Sequence, residues 1–105
     1  MIVVLITAPD EESAAGMART LVDERLAACV NIITGGVRSI YRWEGSVHDE
    51  TECLMLVKTV ADKFDALKER VVELHGYEVP EVVALPVVKG LETYFEWVEE
   101  NTRLG

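Results

Sequence analysis

Two cysteines in 105 residues cannot build a disulfide framework. The fold must therefore stand on its own core, which suits a reducing compartment. Two histidines, with neither C-x-x-C nor H-x-x-x-H, leave no zinc-type ligand spacing. Seven glycines and three prolines are too few for a collagen-like or low-complexity chain. No apolar run approaches the ~20 residues of a membrane helix. Met1 leads straight into an apolar run without a basic n-region, which reads as a cytoplasmic chain with no signal peptide. Basic residues are scarce, 10 against 19 acidic, for a net charge of −9. Such a surface repels phosphate backbones and anionic membranes, so neither nucleic acid nor membrane is an expected partner. The phosphate-loop, dinucleotide and nucleophile-elbow glycine motifs are all missing, and the single plausible general base is near no serine in sequence. The expectation is a protein that is not an enzyme and uses no organic cofactor.

What the chain does have is a regular alternation of element types. Half of it is hydrophobic, enough for one core in a single domain spanning 1–105. Ile2–Ile6 is a β-branched run that reads as a strand buried on both faces. Asp10 is placed to cap a helix whose apolar positions Ala14, Met17, Ala18, Leu21 and Val22 follow helical spacing. Residues 28–33 and 37–43 read as one strand interrupted at Gly35-Gly36 by a bulge or bend. Glu44-Gly45-Ser46 has hairpin-turn chemistry, and 47–59 is the return strand. A second helix begins at 60–62 and carries Phe64, Leu67, Val71 and Leu74, with Gly76 in the position of a C-cap glycine. Residues 82–88 form a fourth strand and 91–102 a last helix. The order β-α-β-β-α-β predicts an α+β, ferredoxin-like split βαβ antiparallel sheet. Its two crossover helices share one face, and an extra helix follows at the C-terminus. The second sheet face is then bare.

The central hairpin is too long for the body. Strands of about 13–16 residues reach roughly 45–50 Å, whereas a 105-residue globule is only about 33 Å across. The hairpin must bend or project, and its tip residues Ile40, Tyr41 and Trp43 need cover. Arg38 and Arg42 lie roughly opposite Asp49, Glu50 and Glu52, so charges can pair across the arm. Docking of the arm on sister chains is expected, with the bare sheet face buried by association.

His75 ends the second helix, and Glu78 and Glu81 follow in a loop. One nitrogen and two carboxylates suit a divalent cation. A helix-capping histidine flanked by two solvated carboxylates fits the same spacing. Cys29 and Cys53 lie on apolar strands, as small buried thiols do.

Four stretches in register then resemble the CutA family of divalent-cation tolerance proteins. They are Arg25-Leu26-Ala27-Ala28-Cys29-Val30-Asn31, Ser39-Ile40-Tyr41-Arg42-Trp43-Glu44-Gly45, Lys58-Thr59 and His75-Gly76-Tyr77-Glu78-Val79-Pro80-Glu81, supported by Ala8-Pro9-Asp10 and the pair Tyr94 and Trp97. The resemblance implies a cytoplasmic, non-enzymatic homotrimer built through the long hairpins, similar in architecture to the PII signalling proteins and linked to tolerance of copper and other divalent metals. It places oligomer contacts at Arg38, Ile40, Arg42 and Trp97. By analogy with PII proteins, clefts between subunits are expected to be lined by Tyr41, Trp43, Lys58 and Tyr77, with His75 and Glu81. The copper ligands proposed in some members are a first-strand cysteine and a His-His pair. Here those positions hold Ile6 and Leu74-His75, so any Cu(II) site must draw on His75, Glu78, Glu81 or another subunit. Two further readings stand beside metal tolerance: a small-molecule sensing module and a structural scaffold.

Overall fold

A computed structural model describes residues 1–103. The strands are β1 (Ile2–Ala8), β2 (Cys29–Trp43), β3 (Ser46–Thr59) and β4 (Val82–Pro86), and the helices are α1 (Glu11–Asp23), α2 (Phe64–Leu74) and α3 (Glu92–Thr102). A 3-10 turn, Ala61–Lys63, leads into α2. The sheet order is β2-β3-β1-β4 and every pairing is antiparallel. This is the expected split βαβ arrangement.

Local chemistry sets the element ends. Asp10 is extended at φ −153°, and its carboxylate accepts from the Ser13 N–H at 2.7 Å, satisfying one of the free donors of the first turn. At the other end of α1, Arg25 turns left-handed at φ 59°, a conformation usually left to glycine. The second helix ends at His75, as expected, where the chain turns extended (φ −80°, ψ 141°). Gly76 just beyond does not adopt the positive φ of a C-cap glycine, because the chain has already left the helix at His75, whose ring is held by the bonds described below.

The core lies between α1 and α2 and one sheet face. Val4, Ile6 and Ala8 of β1 and Cys53, Met55 and Val57 of β3 meet Ala14, Met17 and Leu21 of α1 and Leu67 and Val71 of α2. The period-2 alternation sends Val3, Leu5, Leu54 and Leu56 to the opposite face, where they are only partly buried, so the expected burial of β1 on both faces holds for Val4, Ile6 and Ala8 but not for Val3 and Leu5. Val83 and Leu85, paired with Leu5 and Val3, extend that second apolar face and stand about half exposed. It is not wholly bare. Helix α3 packs on β3 and brings Tyr94 to Cys29, which pairs with Lys58 at one end of the face.

The arm projects as its length requires, and the molecule measures 44 × 27 × 23 Å. Trp43 pairs with Ser46 across a two-residue turn in which Glu44 (φ 50°) and Gly45 (φ 81°) are both left-handed. That is type I′ geometry, which matches strand twist. Between the pairs Ile33–Leu54 and Val37–Glu52, β2 carries Thr34, Gly35 and Gly36 against Cys53 alone. Both glycines have φ +84°, and a Cβ on Gly36 would lie 2.3 Å from Thr51 Cγ2. This bulge sets the direction of the arm relative to the body.

Candidate functional site: a carboxylate-lined aromatic cleft

His75 is fixed by two bonds. Its Nε2 donates to the Thr7 carbonyl at 2.7 Å, and its Nδ1 accepts from the Tyr77 N–H at 3.1 Å. A carbonyl only accepts and an amide N–H only donates, so the ring is the neutral Nε2–H tautomer with its single lone pair in use. Thr7 lies one residue beyond the last β1–β4 pairing, Ile6–Val82. The ring thus satisfies backbone at a sheet end and braces the loop after α2. It is 8% exposed and tilts against the Tyr77 ring at 4.6 Å.

That bracing places Tyr77 over the base of the arm, where its hydroxyl donates to Glu52 Oε2 at 2.8 Å. Burial, and next the bond to the Glu52 carboxylate, push the Tyr77 hydroxyl well above the usual phenol range. On the arm, cross-strand pairing puts Tyr41 beside His48 on the face that also carries Glu50 and Glu52. The Tyr41 and His48 rings stack at 5.3 Å, and the Tyr41 hydroxyl donates to Glu50 at 2.9 Å. This bond also raises the Tyr41 hydroxyl above its ordinary value.

The arm and the loop 75–81 enclose a cleft of about 620 Å³. Its walls include Tyr41, Trp43, Tyr77, Ile40 and Val79, with Thr7 at the floor, and its ionisable acids are Glu52, Glu78 and Glu81. No lysine, arginine or histidine is among its lining residues. Glu52 is 7% exposed.

The structure brings Tyr41, Trp43, Tyr77, Glu78 and Glu81 to one cleft within a single chain, whereas the sequence reading placed Tyr41, Trp43, Lys58 and Tyr77, with His75 and Glu81, in clefts between subunits. Lys58 and His75 do not line the single-chain cleft. Lys58 pairs with Cys29 and Val3, and Val3 is four residues from Thr7 along β1. That puts Lys58 about 13 Å from the cleft floor at the strand rise. His75 supports the cleft from behind, with neither nitrogen free to ligate, so the helix-end reading of the histidine fits the geometry and the metal-ligand reading does not. Among the described residues no three His, Cys, Asp or Glu side chains stand close enough to hold a metal ion. Within one chain, a copper site of His75, Glu78 and Glu81 does not fit.

On the arm, Arg38 makes a two-pronged ion pair with Asp49 (2.8 and 2.6 Å), one of the expected cross-strand partners. Arg42 instead donates to the Gly45 carbonyl at 3.3 Å. Ile40 is 65% exposed, and Trp97, stacked on Tyr94 at 5.7 Å, is also open. The residue the sequence pointed to least was Glu52. Its signal was parity: it shares a sheet face with Leu54 and Leu56, so a carboxylate there sits at the edge of an apolar surface.

The family model for the CutA1 divalent ion tolerance protein matches residues 2–101. The divalent-cation tolerance protein CutA of Thermus thermophilus is 57% identical over 95% of this chain and 96% of its own length. A solved structure from that organism superimposes with a TM-score of 0.93 at 56% identity, covering 98% of this chain and 100% of that one. The periplasmic divalent cation tolerance protein CutA of Archaeoglobus fulgidus also superimposes with a TM-score of 0.93, at 36% identity over 98% of this chain and 100% of that one. Against the chloroplastic CutA of Arabidopsis thaliana the identity is 44% over 97% of this chain, which spans 56% of that longer protein. With strand order, projecting arm and sequence motifs all in agreement, the chain belongs to the CutA1 divalent ion tolerance family.

Proposed function

We propose that this chain works as a cytoplasmic, non-enzymatic homotrimer whose working site is the cleft between arm and loop 75–81, and that divalent ions such as Cu(II) act there as cargo. The observation that carries this reading is a roomy aromatic cleft whose only charged lining groups are carboxylates. Pockets of this size with a few convergent polar groups are the usual form of ligand sites. Association is supported by the exposed second sheet face and the projecting arm, and the number three by the family resemblance. A reducing compartment is supported by two free thiols, Cys29 and Cys53. Glu78 and Glu81 would meet an ion at the cleft wall, its remaining ligands being water or groups from a neighbouring subunit, since hard and borderline cations accept such oxygen sets.

Light scattering and calorimetry with Cu(II) test this together. A mass of three chains and ion binding weakened at least tenfold by the double substitution Glu78→Gln/Glu81→Gln are expected. A one-chain mass, or ion affinity untouched by the double substitution, would remove the cleft from the account.

A further inference from the structure

We propose that the Tyr77–Glu52 bond is a strap across a glycine hinge, and that closing it aims the arm for its contacts with sister chains. The inference rests on the proposed self-association of the chain and adds what controls it.

The hinge follows from strand pairing. Strand β1 accompanies β3 only as far as the Ala8–Cys53 pair. From Glu52 outward the arm is a two-stranded ribbon, in which β2 and β3 pair with each other alone. Such a ribbon twists and bends more readily than a wider sheet. Its root is the bulge, where Thr34, Gly35 and Gly36 face Cys53 and both glycines have φ +84°. Two consecutive glycines at the point where the third strand is lost form a pivot.

The strap follows from the bonds. Other side-chain bonds of the arm close on the arm itself: Arg38 to Asp49, Tyr41 to Glu50, and Arg42 to the Gly45 carbonyl. Among the described residues, the bond from the Tyr77 hydroxyl to Glu52 is the one side-chain hydrogen bond or ion pair that joins the arm beyond the bulge to the rest of the chain. It falls on the first β3 residue outside the Ala8–Cys53 pair, beside the pivot. Its other end is anchored. The Tyr77 N–H donates to His75 Nδ1, and His75 Nε2 donates to the Thr7 carbonyl near the end of β1. Body, loop and arm are thus linked in one series, Thr7–His75–Tyr77–Glu52. Farther out, the cleft separates arm from loop, and that is the space into which an unstrapped arm swings.

A hydrogen bond to a nearly buried carboxylate is strong enough to favour one arm direction by about tenfold or more. An arm held in its docking direction associates without first being ordered. An arm free to swing carries the cost of ordering in its apparent affinity. His75 makes no hydrogen bond to the arm, yet it holds the strap, so it is a positioning residue for assembly.

The test is dissociation of the intact protein on dilution, followed by sedimentation in urea too dilute to unfold it. Tyr77→Phe and Glu52→Ala should each raise the dissociation midpoint at least tenfold. The double variant should be no worse than either alone, because both remove the same bond. Glu52→Gln, whose amide oxygen still accepts from Tyr77, should stay within about threefold of wild type. His75→Ala should follow Tyr77→Phe. Met17→Ala, a core substitution on α1 outside this series of bonds, should lower unfolding stability and leave the dissociation midpoint unchanged. A midpoint unmoved by Tyr77→Phe, single effects that add in the double variant, or Met17→Ala acting as strongly as Tyr77→Phe would each overturn the proposal. A one-chain mass at every dilution would instead remove the self-association. The strap is then tested by the fluorescence anisotropy of Trp43 in a Trp97→Phe background, where a fall on adding Tyr77→Phe supports it and an equal value overturns it.

Discussion

Replacing His75 with alanine separates a bracing role from a ligand role. The substitution removes the bond to the Thr7 carbonyl and the bond to the Tyr77 N–H. Each is worth about 1 kcal/mol net, and a buried partner left unpaired raises the loss to about 1–3 kcal/mol. Water can enter from the adjacent cleft and satisfy part of the deficit. The expected loss is therefore about 2–4 kcal/mol. In a chain of 105 residues that lowers Tm by roughly 10–25 °C. Denaturant and thermal unfolding at one fixed protein concentration measure it, since subunit association makes Tm depend on concentration. His75→Gln, whose amide can still donate to Thr7, should recover part of the loss. Cu(II) affinity measured below the transition should change little in either variant. A stability loss under about 0.5 kcal/mol, together with Cu(II) binding weakened tenfold or more, would refute the bracing role and restore His75 as a ligand.

Three other outcomes follow from the same geometry. Tyr77→Phe should cost about 1.5–3 kcal/mol by stranding the Glu52 carboxylate. It should also flatten the alkaline limb of stability. The Tyr77 proton is held more tightly in the folded chain than in the unfolded one, so its contribution is whole below the ordinary phenol value near 10 and is lost as pH rises beyond it. Urea midpoints from pH 8 to 11 check the sign. Arg25→Gly should raise stability by about 0.5–1 kcal/mol, because the exposed residue sits at φ 59° where glycine is unstrained; a lower urea midpoint would count against it. Gly36→Ala should cost about 1–3 kcal/mol and weaken cleft binding, since φ +84° strains any L side chain and the Thr51 methyl must shift to admit a Cβ; a variant with wild-type unfolding and wild-type binding would contradict that role.

Most of the fold was legible because burial and period agree. Leu67 and Val71 on α2, and Ala14, Met17, Ala18 and Leu21 on α1, read directly as core stripes and are core; β1, read as buried on both faces, sends only Val4, Ile6 and Ala8 into that core. The Asp10 cap and the turn at Glu44-Gly45 read from side-chain chemistry and backbone permission, both local properties. The differences came where distant groups took over. Gly76 has the composition of a left-handed helix cap, yet it stays out of positive φ because the chain turns extended at His75, whose ring Thr7 holds from 68 positions earlier. Lys58, expected in a cleft between subunits, lies at the other end of the sheet from the cleft within one chain, a placement set by strand register that its motif does not encode. Glu52 read as one of several arm charges. Only the bulge at Gly35-Gly36 and the arrival of Tyr77 make it a buried carboxylate at the cleft.

The cleft and the arm also depend on one another. Tyr41 and Trp43 are arm residues, whereas Tyr77, Glu78 and Glu81 belong to the loop after α2. The bulge orients one set against the other, and the Tyr77–Glu52 bond joins them at the base of the arm. A ligand that bridges the Glu52 edge and the Trp43 wall therefore ties arm to body, and its binding free energy appears as resistance of the arm to movement. The arm is equally the element expected to reach sister chains. Cation binding and subunit association would then be linked, each strengthening the other by the same factor. Dilution-induced dissociation measured with and without saturating Cu(II) reads that factor directly, and identical dissociation in both conditions would uncouple the two.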